Sequence, residues 1–367
     1  SDLHLGKRFG NFTGDLPGLL REARHKVLNT LAQRARENGA SVILLAGDTF
    51  DTETPASHVL QQAMSEMRHH HDLRWVILPG NHDSLKASEL WGSVQGEAGD
   101  NIILAREAAP IELARDVMLL PAPCTERRPG RDLSAWMDDC ATPDGVVRIG
   151  LAHGAVKSFS EDMRVEEVIA PDRARRAGLN YLALGDWHGT LSIDDRTWYS
   201  GTPEQDRFKH GRAGEALCVT VAGPNAAPAV EKLATANFSW LTYALHLLDG
   251  DDPSEILQAQ LPAERDRRQI LAQVQVNGHG RLAQIEALDR SIARITPDFA
   301  YLEQDRAGLN TVYDVTDLDE IDRAGAVRDA ATALLHKAQD GTVSADDRDI
   351  ASAALSRLYS FAQKVSA

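Results

Sequence analysis

Five times within residues 1–188, an apolar stretch stops at a small residue and empties into Asp, Asn or His. The plainest case is Trp75-Val76-Ile77-Leu78, followed by Pro79 and then Gly80-Asn81-His82-Asp83. An apolar run this short, ended by Pro and Gly, suits a buried strand. Its polar residues then fall on the loop at the strand's C-terminal end, where open α/β sheets bind their ligands. A buried sheet gains nothing from Asn, His and Asp placed together there. Such residues can bind a metal, transfer a proton and orient the proton donor.

The same punctuation occurs at Ser1-Asp2-Leu3-His4, where the strand is cut short, and at Val42–Ala46 running into Gly47-Asp48-Thr49-Phe50-Asp51. It recurs at Val146–Ala152 running into His153-Gly154, and at Tyr181–Leu184 running into Gly185-Asp186-Trp187-His188. All five loops can gather at one edge of the sheet. Carboxylate, imidazole and amide oxygen together suit Mn, Fe or Zn better than Ca or a thiolate-seeking ion.

A chain of 367 residues is too long for one small core, so two or three domains are expected. No run approaches the roughly 20 apolar residues of a membrane span, and no signal peptide is visible. Cys124, Cys140 and Cys218 are odd in number and lack metal-site spacing, which fits a reducing cytoplasm. The net charge of -15 counts against tight, unaided nucleic-acid binding. It does not count against phosphodiester chemistry, because bound metals supply local positive charge.

Leu19-Leu20, Val27, Leu31 and Ala35 recur at helical spacing, and Asn38-Gly39 gives a normal helix stop. Residues 1–226 read as one catalytic domain. Thr197–Glu204 and Ala216–Val221 are expected to be returning strands of its sheet, and Ala222–Ala229, with Pro224 and Pro228, the linker out of it. Residues 230–316 then read as a small α+β domain. Its strands are expected over Trp240–Leu248, Ile270–Val276, Phe299–Glu303 and Thr311–Val315, with an amphipathic helix through Leu282, Ile285, Leu288, Ile292 and Ile295. Residues 317–367 form two helices, one lined by Val327, Ala331, Leu334 and Ala338, the other by Ile350, Ala354, Leu358 and Phe361.

Asp2-x-His4, Gly47-Asp48-x-x-Asp51, Gly80-Asn81-His82-Asp83, His153 and Gly185-x-x-His188 together resemble the motif set of the calcineurin-like metallophosphoesterases. Within that group, Ser1–Gly6 and Gly47–Asp51 are most similar to the SbcD-type DNA-repair nuclease branch. The resemblance covers residues 1–188 in the family's order. One such motif is weak evidence; five in order are specific. It implies an α/β sandwich of two sheets flanked by helices, followed by a capping domain and a helical tail. In the family the first metal-binding Asp follows an apolar strand, so a few residues are expected ahead of Ser1.

The resemblance also implies two divalent metal ions, with Mn expected and Fe, Zn or Mg as alternatives. Asp48 would bridge them; Asp2, His4 and His188 would complete the first site, and Asn81, His153 and Asp186 the second. His82 would donate a proton or hydrogen bond to the phosphoryl or leaving oxygen, with Asp83 setting its tautomer and raising its pKa. Asp51 would orient His4 or a backbone turn. Arg207, Lys209 and His210 are candidate substrate contacts, chosen for their nearness in sequence to the metal edge. The implied partners are DNA, the coiled coil of an SMC-like ATPase and a second copy of the chain.

One position departs from the pattern. The family carries Gly-His-x-His where this chain has Gly185-Asp186-Trp187-His188. Asp186 either ligates, exchanging a neutral nitrogen for an anionic oxygen and favouring harder ions such as Mn, or points away and leaves the second site weak. The leading expectation is a metal-dependent DNA exo- or endonuclease subunit acting in repair beside the ATPase. A small-molecule or cyclic-nucleotide phosphodiesterase is the alternative within the class, and a metal-poor scaffold subunit the alternative outside it.

Overall fold

The computed structural model describes residues 1–156, 168–208, 214–312, 321 and 325–366. The chain divides into two compact units, Ser1–Trp240 and Leu241–Ala367.

The first unit begins with α1 (Leu16–Glu37), which stops at Asn38 with Gly39 in the left-handed region, at the expected place. Strands β1 (Val42–Ala46), β2 (Arg74–Leu78) and β3 (Ile102–Leu104) form a parallel sheet in that order. Helices α2 (Ser57–His69) and α3 (Ser88–Glu97) connect them. After Arg74, strand β2 is apolar without interruption because both faces of Trp75–Leu78 are buried. Trp75 and Ile77 pack into the core shared with α1, α2 and α3. Val76 and Leu78 point the other way, into a core shared with the second sheet.

That sheet is built from β4 (Ile111–Ala114), β5 (Val117–Ala122), β6 (Val147–His153), β7 (Tyr181–Gly185), β8 (Leu191–Ser192) and β9 (Thr197–Tyr199). Their spatial order is β4-β5-β6-β7-β9-β8, parallel through the centre and antiparallel at both edges. Its outer face packs on α4 (Arg173–Arg176) through Leu182, Leu184, Ala174 and Ala177. The layers therefore run helix, sheet, sheet, helix, as expected.

Two expectations change here. The segment Glu215–Thr220 (β10) does not join the large sheet; it pairs antiparallel with β11 (Ala229–Ala234). Ala222–Ala229 is accordingly the turn of a hairpin and no linker. Asn180 Nδ2 donates to Gly223 O at 3.2 Å and to Ala226 O at 3.1 Å, and Arg196 Nη2 donates to Asn225 O at 3.2 Å. These bonds tie the turn to the first unit, whose end falls at Trp240 and not at 226.

The second unit has a three-stranded sheet, β12 (Ser239–Leu247), β13 (Ile270–Arg281) and β14 (Tyr301–Val312). Helix α5 (Pro253–Gln260) lies between the first two, and α6 (Leu282–Ile295) joins the parallel pair β13 and β14. The two strands expected over Phe299–Glu303 and Thr311–Val315 are one strand over the described part. A register shift between Gln275 and Asn277 carries the ladder past Arg306 and Ala307. The tail helices α7 (Ala326–Gln339) and α8 (Ala345–Ser366) belong to this same unit. Ala331, Leu335, Leu355 and Tyr359 bury against one another and against Leu282 at the start of α6. Among the described residues no helix is long and apolar enough to cross a membrane.

Candidate metal centre

Strand register brings the five loops together. Ala46 stands opposite Leu78, so Gly47-Asp48 and Gly80-Asn81 leave the first sheet side by side. His153 stands opposite Gly185, so His153 and Asp186 leave the second sheet as a pair. The opening segment runs beside the first loop: Asp2 N donates to Gly47 O at 3.1 Å and His4 N to Asp48 O at 2.9 Å.

Such close approach of loops requires glycine. A Cβ on Gly80 would lie 2.2 Å from Asp48 Oδ1, and one on Gly185 would lie 1.9 Å from Ala46 O. Gly80→Ala is therefore expected to displace Asp48, cost about 1–3 kcal/mol of stability through overpacking and lower the metal bound per chain. Elemental analysis beside a thermal melt checks this; full metal content would show that the loop can yield. Four residues bearing donor atoms also hold left-handed backbone: Asp2 (φ 56°), His4 (44°), Asp48 (53°) and Asp186 (100°).

The side chains converge on Asp48. Its Oδ2 lies 3.7 Å from His4 Nε2, on the first sheet's side, and 3.5 Å from His153 Nε2, on the second's. Its Oδ1 accepts the backbone N–H of His82 at 2.9 Å. His4 Nε2 and His188 Nε2 face each other at 3.3 Å, and Asp2 Oδ1 lies 3.9 Å from His188 Nε2. Three groups of donor atoms result, each within 4.8 Å: Asp2/His4/His188, His4/Asp48/His82 and Asp2/Asp48/His153.

Asp186 faces the site. Its Oδ1 accepts from Asn81 Nδ2 at 3.0 Å and lies 3.9 Å from His153 Nε2, while its backbone N–H reaches both oxygens of Asp2 at 3.2 Å.

The four histidines share one arrangement: each has its Nδ1 close to an oxygen of a neighbouring residue. His153 Nδ1 is 2.8 Å from Ala46 O, and His82 Nδ1 is 2.9 Å from Asp51 O. A carbonyl can only accept, so Nδ1 is the donor in both, and Nε2 is the atom left to face the site. His4 Nδ1 is 3.2 Å from Asp51 Oδ1, and His188 Nδ1 is 3.2 Å from Asp206 Oδ1. Asp51 thus lies beside His4 through its carboxylate and holds His82 through its carbonyl.

Asp83 stands elsewhere than expected. It is fully buried and accepts from Gly80 N at 2.7 Å and Phe50 N at 3.0 Å, bracing the two loops against each other. Bends over Asn81–Asp83 send successive side chains apart, so the Asp51 carbonyl, and not Asp83, sets the His82 tautomer. Burial, reinforced by the charge of Asp48, pushes the Asp83 carboxyl up to about 7.

Arg207 turns to Asp206, with Nε on Oδ1 at 3.0 Å and Nη2 on Oδ2 at 3.2 Å. Lys209 and His210 lie outside the described residues. Asp206 itself was not anticipated. Strand β9 (Thr197–Tyr199) also ends in a glycine turn, at Gly201, and the pattern that marked the other loops would have pointed past it to Asp206.

The electrostatics call for a cation. Burial pushes the His4 imidazole below its usual range, keeping it neutral and ready to ligate. Burial alone would raise Asp48 and lower His153, but their mutual attraction outweighs it, holding Asp48 well below the carboxylate range and His153 well above 6.5. His153 Nε2 and Asn81 Oδ1 are both buried without a hydrogen-bond partner. Buried polar atoms without partners are costly, and a bound metal ion would satisfy both. The donor set, oxygen and imidazole nitrogen, fits a divalent ion.

Residues 1–209 match the family model of the calcineurin-like phosphoesterases, and the chain belongs to that family. It is thus a metal-dependent phosphoesterase with clustered Asp and His side chains able to hold the metal. No curated protein matches the chain.

Proposed function

We propose that the chain hydrolyses phosphodiester bonds of DNA with two divalent ions, Mn first among them, as the nuclease subunit beside an SMC-like ATPase in DNA repair. The observation that carries the dinuclear reading is Asp48 Oδ2, set between His4 Nε2 of the opening segment and His153 Nε2 of the second sheet. Asp2, His4, His188 and Asp48 would hold one ion, and Asp48, Asn81, His153 and Asp186 the other. Bound there, the ions would supply charge stabilisation for the phosphoryl group and activation of a water. His82 Nε2 would give a hydrogen bond or proton to the departing oxygen. Asp186 turned toward Asn81 and His153 weighs against a metal-poor scaffold.

The net charge of -15 favours a second reading, hydrolysis of a small or cyclic phosphodiester. One experiment separates the two: Mn-dependent digestion of end-labelled duplex and single-stranded DNA beside an aryl phosphodiester. Cleavage of the aryl ester but of neither DNA would overturn the nuclease reading.

The tail supports the proposed partner. Ile350, Ala354, Leu358 and Phe361 recur at helical spacing along α8, and Ile350 and Phe361 are each 65% exposed. On α7, Val327 is 44% exposed, and Leu334 is half-buried beside it on the same stripe. A partner helix laid on such a stripe is an ordinary mode of recognition, and a second copy of the chain is a further candidate. Ile350→Asp with Phe361→Asp is expected to abolish co-purification with the ATPase while leaving aryl phosphodiester hydrolysis unchanged. Retention of the partner would move the docking site elsewhere.

A further inference from the structure

His188 is backed by a carboxylate that is itself fixed on every side. Asp206 is buried, and its Oδ1 lies 3.2 Å from His188 Nδ1. Lys7 Nζ donates to Oδ2 at 2.5 Å, and Arg24 Nη2 lies 3.7 Å from the same oxygen. Arg207 reaches both oxygens. The three cations come from three segments: the opening loop, helix α1 and the residue next in chain. Arg24 does more than neutralise. It is fully buried, and its Nη1 donates to Leu3 O at 2.8 Å and Glu204 O at 3.3 Å. Those carbonyls belong to the segment that carries His4 and to the one that carries Asp206. The whole network therefore registers His188 against His4, whose Nε2 faces it at 3.3 Å.

We infer that Asp206 is a positioning residue: it accepts the Nδ1 proton of His188 and so aims the Nε2 lone pair at the pocket shared with His4 and Asp2. This rests on the reading of His188 as a metal ligand. With donors on both oxygens, Asp206 can only accept, and the tautomer of His188 is fixed. Carboxylates behind metal-binding imidazoles fix ring orientation and raise ligand basicity, and losing one costs about 10–100-fold in metal affinity. Asparagine in its place would set an amide N–H against either His188 or one of the three cations.

The test uses the full chain and two readouts. Nitrogen-15 NMR of the histidine rings in the metal-free protein is expected to show His188 as the Nδ1–H tautomer, and Asp206→Asn to shift it toward Nε2–H. Titration with Mn²⁺ is expected to show one of two sites weakened about 10–100-fold in Asp206→Asn, the other unchanged, with Asp206→Glu keeping the Nδ1–H tautomer. A wild-type His188 carrying its proton on Nε2 overturns the inference without any variant, so a substitution that fails to fold does not shelter it. Equal Mn²⁺ affinities and an unmoved tautomer in Asp206→Asn overturn it as well. Wild-type protein that binds no Mn²⁺, Zn²⁺ or Fe²⁺ at all sinks the metal reading instead, while the tautomer still decides whether Asp206 orients the ring.

Discussion

Asp48→Asn is expected to empty the site of metal and to cut phosphoester hydrolysis by about 1000-fold or more, since a bound metal would supply several kcal/mol of charge stabilisation. Asparagine has nearly the same shape, so the loss comes from chemistry and not from packing. Asp48 uses both oxygens: Oδ1 accepts the His82 N–H, and Oδ2 sits between His4 Nε2 and His153 Nε2. An amide has one acceptor. If its oxygen meets the His82 N–H, its NH₂ stands between the two imidazoles and points hydrogens at lone pairs meant for the metal. If it turns over, two N–H groups meet at the loop. Either way the charge that draws the cation is gone. Elemental analysis and an aryl phosphodiester assay check the prediction, and a variant that keeps both metals would show that Asp48 is no bridge.

His82→Ala is expected to do the opposite in part: to keep its metal and lose about 100-fold or more in turnover, the usual scale for a general acid. The backbone N–H that holds Asp48 Oδ1 survives the substitution. Only the ring is lost, held edge-on to His4 at a centroid distance of 4.9 Å with its Nδ1 on Asp51 O. Metal analysis separates the roles. His4, Asp48 and His82 also bring donor atoms within 4.8 Å of one another, so loss of metal in His82→Ala would make His82 a ligand and leave the proton donor to be found elsewhere.

The loops were legible because their cause is local. An apolar run, a glycine and a polar residue follow one another in the chain, and parallel register does the rest: His153 opposite Gly185 needs no long-range information beyond strand pairing. Asp83 misled for the same reason. Adjacency in sequence to His82 suggested contact, but whether neighbouring side chains converge or diverge depends on the bends of the loop, and here they diverge. Asp206 was hidden because its partners are far away in the chain, Lys7 by 199 residues and Arg24 on another element. Ala222–Ala229 read as a linker because Pro and Gly mark a tight hairpin turn just as readily, and the pairing of β10 with β11 tells the two apart.

Asp2, His4, Asp48 and Asp186 occupy backbone angles that suit glycine best. Residues held in such regions typically cost on the order of 1–3 kcal/mol each. Placing Asp186 so near the buried Asp2 and Asp48 adds repulsion when no cation is bound. Selection for thermal stability in a chelator-treated sample would therefore push these four positions toward glycine and reward every step that disables the enzyme. A stabilisation campaign on this chain has to be run with metal present, or it will improve the protein by erasing what it is for.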